Sequence, residues 1–138
     1  MKQDSSSHQL SEKQQEKRKT QVGVWLDHHQ AVVVSAPEGE FAIAGSFETT
    51  APEHHRSSEH TIHKAQKALT LKHFDAVAAQ LTAYDHILLF GPGTAQEEMR
   101  NLLGDDTHFR GKKIEIDSAG QMTPNQIVAK VRDFFESA

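Results

Sequence analysis

The chain has 138 residues, a length that suits one domain with a modest core. It contains no cysteine, which excludes disulfide frameworks, thiol nucleophiles and cysteine-ligated zinc and agrees with a reducing compartment. The formal charge of −4 is unevenly spread: residues 1–20 hold five Lys and Arg against three Asp and Glu, leaving −6 for the rest, so any RNA-facing surface has to be a local patch on an acidic body.

The N-terminus has no apolar run suited to a signal peptide, and no segment is long enough to cross a bilayer, so the cytoplasm is the expected location and no membrane partner is expected. Residues 1–20, MKQDSSSHQLSEKQQEKRKT, are polar with a single leucine and are expected to form a disordered, solubilising tail ahead of a single domain at 21–138. Val22–Leu26 and Ala31–Ser35 are rich in β-branched residues and flank Asp27-His28-His29-Gln30, a polar break of hairpin length, which predicts two antiparallel strands. Pro37-Glu38-Gly39 turns the chain into a third strand, Glu40–Phe47, with Phe41, Ile43 and Gly45 alternating against Glu40, Ala42 and Ala44.

Glu48–Ser58 is polar and contains proline, as an exposed loop should. Helical periodicity follows, with Ile62, Ala65 and Leu69 on one face continued by Phe74, Val77, Ala78 and Leu81, and a break or kink is expected near Thr70-Leu71. His86–Phe90 is a compact apolar run of the kind found in a central parallel strand covered on both faces. Gly91-Pro92-Gly93 ends it, with Gly91 expected at positive φ, and Thr94-Ala95-Gln96-Glu97 reads as a capping box that opens the next helix. Gly104-Asp105-Asp106 closes that helix. Lys112–Asp117 alternates like a strand near an edge, and Thr123-Pro124-Asn125-Gln126 starts a last helix whose buried face is Ile127, Val128, Val131, Phe134 and Phe135.

The resulting order, βββαβαβα, is an α/β arrangement: an antiparallel meander followed by two right-handed crossovers, giving a mixed five-stranded sheet with helices on its faces. This is the element order of the ribonuclease-H-like fold. Three stretches together, VGVWLDHHQAVVV, EHHRSSEHTIHKAQKALTLKHFDAVAAQL, and ILLFGPGTAQEEMRNLL followed by KKIEIDSAGQMTPNQIVAKV, resemble the middle domain of archaeal and eukaryotic translation release factors and of Pelota. The form is that of the small standalone bacterial proteins usually called translational machinery proteins.

The resemblance implies a cytoplasmic, non-enzymatic protein that contacts the ribosome, through ribosomal RNA or a bound tRNA, and needs no cofactor. In release factors the loop after the third strand carries the Gly-Gly-Gln that promotes peptidyl-tRNA hydrolysis. Here that place holds Pro52-Glu53-His54-His55-Arg56-Ser57-Ser58, and the similar triplet Ala119-Gly120-Gln121 follows the fifth strand, where a turn is expected. Peptide release is therefore not implied. The flanking domains that recognise stop codons or bind partner GTPases are expected to be absent.

The residues suggest three sites. Between His54 and His73 lie five histidines (His54, His55, His60, His63, His73) and four fixed cations (Arg56, Lys64, Lys67, Lys72), with Glu59 alone opposing. In a helix beginning near Ser58, His60, His63, Lys64 and Lys67 share one face. This basic island suits RNA contact by His54, His55, Arg56, His60, His63, Lys64 and Lys67; it equally suits a solvated face, or a metal held by His60, His63 and His54 or His55, and the spacing does not decide. Gly91, Gly93 and Thr94 could present amides to a phosphate at a helix start, although the P-loop lysine is missing and Glu97 and Glu98 already supply negative charge, which favours a structural turn. Asp27 and Asp117, at the ends of two strands, suggest a metal-dependent nuclease or hydrolase as the alternative function, with Glu40, Glu48 or Glu115 as a further carboxylate; the simpler reading of Asp27 is that it shapes the hairpin.

Overall fold

The computed structural model describes residues 11–49 and 59–137. Five strands form one open mixed sheet: β1 (Gln21–Leu26), β2 (Gln30–Ser35), β3 (Ala42–Glu48), β4 (His86–Gly91) and β5 (Lys113–Ser118), in the spatial order β3-β2-β1-β4-β5. The first three pair antiparallel, while β1 with β4 and β4 with β5 pair parallel, as the two crossovers require. The helices are α1 (Glu12–Arg18), α2 (Glu59–Ala79), α3 (Ala95–Gly104) and α4 (Pro124–Ser137), with a short 3-10 turn at Thr107–Phe109. The ribonuclease-H-like arrangement expected from the element order is present, with β5 at an edge.

Strand alternation divides the core in two. Val22, Val24 and Leu26 of β1 and Ile87 and Leu89 of β4 face α2 and α3, meeting Phe74, Val77, Ala78, Met99 and Leu103. Trp25, Leu88 and Phe90 face the other way, against Ile127, Val131 and Phe135 of α4. Both central strands are thus covered on both sides, which is why β4 is an unbroken apolar run. Gly23 marks the closest approach of α4, since a Cβ there would collide with the Val131 methyl groups. The last helix starts as its sequence demands: the Thr123 hydroxyl accepts from the Gln126 amide at 3.2 Å, and the Gln126 side chain accepts from the Thr123 amide at 2.9 Å.

Several expectations are corrected. Residues 12–18 are helical rather than part of a disordered tail, while residues 1–10 of that tail lie outside the described residues. Ser11 and Gln14 form a reciprocal capping box at 3.1 and 3.0 Å, a Ser-x-x-Gln pattern readable in the sequence but masked by its polar setting. No side chain of α1 is buried; Gln15 lies against Gly39, and Arg18 pairs with Glu136 at 2.6 Å, donates to the Gly39 carbonyl at 3.2 Å and lies over the Phe41 ring.

In β3 the register slips between Val33 and Val34, leaving Ala44 as an extra residue. That bulge breaks the predicted alternation, and on this edge strand Ile43 is 44% exposed. Helix α2 runs through Thr70-Leu71 as one element, because the segment has neither proline nor glycine to interrupt it.

The Thr94 box does not form. Thr94 sits at φ −108°, ψ 0°, makes no side-chain cap, and donates its hydroxyl to Glu98 at 2.8 Å instead. Gly91 is not at positive φ either; Gly39 and Gly111 are the glycines there among the described residues. It is required for another reason, because a Cβ at 91 would collide with the Leu26 carbonyl of the neighbouring strand.

Candidate nucleic-acid interface

The basic island falls where β3 hands over to α2. Residues 50–58, and with them His54, His55 and Arg56, lie outside the described residues, as do the side chains of His60 and His63. From residue 64 onward the helix face is defined: Lys64, Lys67 and Lys72 are exposed, and Leu71, one turn from Lys67, is 46% exposed. No residue from 64 to 72 is buried. From residue 64 onward, burial starts at His73 and Phe74 and continues at Val77 and Ala78, so within this stretch it is the C-terminal part of α2 that packs on the sheet. Ala65 and Leu69, expected on the apolar stripe, are half-buried.

His73 leaves the island altogether. It shares the inward stripe with Phe74 and is 2% exposed, with neither ring nitrogen hydrogen-bonded among the described residues. Burial holds its imidazole below the ordinary range near 6.5, opposed by the nearby backbone of Gln30 and Asp27 and by the Asp27 carboxylate. Beside it, between the end of β3 and the middle of α2, runs a groove of about 320 Å³ lined by Phe47, Glu48, Thr49, Leu69, Lys72, His73 and Ala76. Of these, the sequence drew attention to Lys72, His73 and Glu48 in other roles. Phe47 was visible as the last apolar residue of a strand, but its place opposite α2 is a tertiary fact.

The other candidates are held in structural contacts. The Gly91 carbonyl accepts from the Gln96 side chain at 3.1 Å and from the Ala119 amide at 2.9 Å, knitting the β4–α3 turn to the segment after β5. At the start of α3, beside exposed Gly93 and Thr94, the Glu98 carboxylate sits 2.9 Å from the His28 ring nitrogen and accepts from Thr94. His28, and then Thr94, hold Glu98 below the usual carboxylate range, so this helix start already has an anion nearby.

Asp27 and Asp117 are not neighbours in the sheet, since β4 lies between β1 and β5. Asp27 accepts from the His29 and Gln30 amides at 2.8 and 2.7 Å and so shapes the hairpin. Asp117 pairs with Lys130 at 2.6 Å and accepts from the Ser118 amide, contacts that keep its carboxyl below the usual range, Lys130 foremost. Glu115 faces His86 at 2.5 Å, and Glu48 accepts from Gln30 at 3.3 Å. Among the described residues no three His, Asp or Glu side chains gather in a way that would hold a metal ion. Ala119-Gly120-Gln121 lies beyond β5, where the Gly120 carbonyl accepts from the Trp25 indole at 3.2 Å.

No family model matches the sequence, and no curated protein matches it. Among solved structures, the chain is similar to Pelota from Archaeoglobus fulgidus, with a TM-score of 0.52 and 15% identity over 85% of this chain and 35% of that one. It is also similar to an archaeal translation termination factor, aRF1, with a TM-score of 0.53 and 10% identity over 85% of this chain and 38% of that one. The fold is release-factor- and Pelota-like. The chain spans little more than a third of either protein's length, and at these identities the likeness is one of architecture. None of the helices described is long and apolar enough to cross a membrane.

Proposed function

We propose that this chain is a cytoplasmic, non-enzymatic translation protein that contacts ribosomal RNA or a bound tRNA through His54, His55, Arg56, His60, His63, Lys64 and Lys67, without promoting peptide release. The observation that carries this reading is the first half of α2. It presents Lys64, Lys67 and Lys72 to solvent and buries no residue between 64 and 72, on a domain that is otherwise acidic and has the fold of two translation factors. Such a helix face gains from the release of counterions when its ammonium groups meet phosphates.

Sedimentation with ribosomes tests it. Wild-type protein should travel with ribosomes at low salt and detach as salt rises, and converting Arg56, Lys64 and Lys67 together to Ala should weaken binding and flatten the salt dependence while leaving melting nearly unchanged. Equal binding by variant and wild type at every salt concentration would sink the proposal. In the same preparation, ribosomes carrying peptidyl-tRNA should lose no peptide when the protein is added; stoichiometric release would overturn that part alone.

A further inference from the structure

The sheet has two edge strands, and they are not alike. On β3 the register slip between Val33 and Val34 bends the strand, one of the ways in which an edge is kept from pairing with another chain. On β5 the register beside β4 is unbroken from Lys113 to Ser118, and the strand holds neither proline nor glycine. The Lys113 amide donates to the Asp85 carbonyl and the Ala119 amide to the Gly91 carbonyl, both at 2.9 Å, so the odd-numbered residues of β5 turn their backbone toward β4. Ile114 and Ile116 therefore turn theirs outward, and no described residue bonds to their amides or carbonyls on that side. Ser118 closes this stretch, because the Asp117 carboxylate takes its amide at 2.8 Å.

The two faces of β5 differ. Ile114 and Ile116 pack against the core beneath α3, while Lys113 and Glu115 stand on the opposite face and line an open groove of about 660 Å³ toward α4. Helix α4 packs on β1, β2 and β3, and α3 on β1, β4 and β5, so both sit back from the outer rim of β5. Charged residues guard an edge when an incoming strand brings like charge to them. Here the spacing does the reverse. Lys113 and Glu115 are opposite in sign and flank Ile114 on one face, so a two-fold axis at Ile114 sets Lys113 of each copy directly across from Glu115 of the other. The Lys113 side chain is 68% exposed and only 3.9 Å from its own Glu115, a long contact that is easily exchanged. Glu115 meets both His86 and Lys113 through Oε2, which leaves Oε1 for a second copy.

We propose that β5 pairs antiparallel with β5 of a second copy of this chain, joining the two sheets into one across a two-fold axis at Ile114. The pairing supplies about four backbone hydrogen bonds: Ile114 exchanges two with its own image, and each Ile116 amide donates to the Lys112 carbonyl of the other copy. Lys112 offers its carbonyl alone, since its amide already donates to Phe109 at 3.2 Å. On the α3 side Ile114 meets its image and Ile116 lies along the Lys112 stem; on the other side two Lys113–Glu115 pairs close the contact. The axis stands perpendicular to the sheet, so both copies carry α2 on the same side of the joined sheet. So small a contact gives a weak, concentration-dependent dimer.

Amide hydrogen exchange followed by NMR across a dilution series, with sedimentation velocity on the same samples, tests this. The Ile114 and Ile116 amides should gain protection as the dimer forms, while that of Glu115, directed at β4, is protected throughout. Lys113→Glu sets like charges against each other in both pairs and should weaken association about tenfold or more, and so should Glu115→Lys. An equimolar mixture of the two variants should associate as wild type does, because each charge then meets its opposite, and that recovery also shows both variants to be folded. A monomer at every concentration, a dimer that leaves the Ile114 and Ile116 amides unprotected, or a mixture no tighter than either variant alone would overturn the proposal. Protection of both amides at every dilution would overturn it as well, since the edge would then be covered within one chain.

Discussion

The backbone of Gly91 passes so close to the Leu26 carbonyl on the neighbouring strand that no side chain can stand between them. Gly91→Ala should therefore destabilise the fold by about 1–3 kcal/mol, as overpacking in a rigid core does, and Gly91→Val by more. Denaturant titration measures it. The cause is crowding, not backbone conformation, so unchanged stability in Gly91→Ala would show that the two strands part easily at this point.

Gly23 and Val131 form a second such pair, with the glycine on β1 and the valine on α4. Gly23→Ala alone should push α4 off the sheet and cost about 1–3 kcal/mol. Because the obstruction is a valine side chain, Val131→Ala in the same molecule should recover part of the loss, and a double-mutant cycle should give a coupling of about 1 kcal/mol. Strictly additive effects would mean that α4 is not seated on Gly23.

His73 makes stability sensitive to mild acid. Its folded-state affinity for a proton is lowered by burial, whereas the unfolded ring titrates near 6.5, so acidification protonates the unfolded state first. The contribution is intact above about pH 6.5 and declines as pH falls below it. His73→Phe keeps the ring volume without the titration, and its stability should fall less than that of wild type between about pH 7 and pH 5. Parallel profiles for the two proteins would show that His73 does not set the acid limb.

Arg18 joins α1 to the domain through Glu136, the Gly39 carbonyl and the Phe41 ring. Only 11% of its side chain is exposed, although Glu136 is half exposed, so Arg18→Ala should cost about 1 kcal/mol globally. The local effect should be larger. Amides of residues 12–18 should lose their hydrogen-exchange protection, and Arg18→Lys should not restore it, because an ammonium cannot make the same planar set of contacts. Unchanged protection in Arg18→Ala would show that α1 is held by something else.

The sequence alone determined the features that depend on near neighbours in the chain. Five strands, the crossovers, the central place of His86–Phe90, the hairpin role of Asp27 and the Thr123–Gln126 box all follow from local periodicity, turn chemistry and capping, and each is found in the structure. Tertiary packing decided what depended on distant ones. Thr94 abandoned its box for Glu98, which His28 from the β1–β2 turn also engages. Gly91 owes its identity to Leu26, sixty-five residues earlier, and the helix that the Ser11–Gln14 box opens before β1 meets the domain where Glu136 and Gly39 receive Arg18. His73 reads in sequence as one more member of a cationic run. The rotation of α2 on the sheet turned it inward and away from Lys64 and Lys67, because Phe74, Val77 and Ala78 must face the core and a helix carries its neighbours round with them.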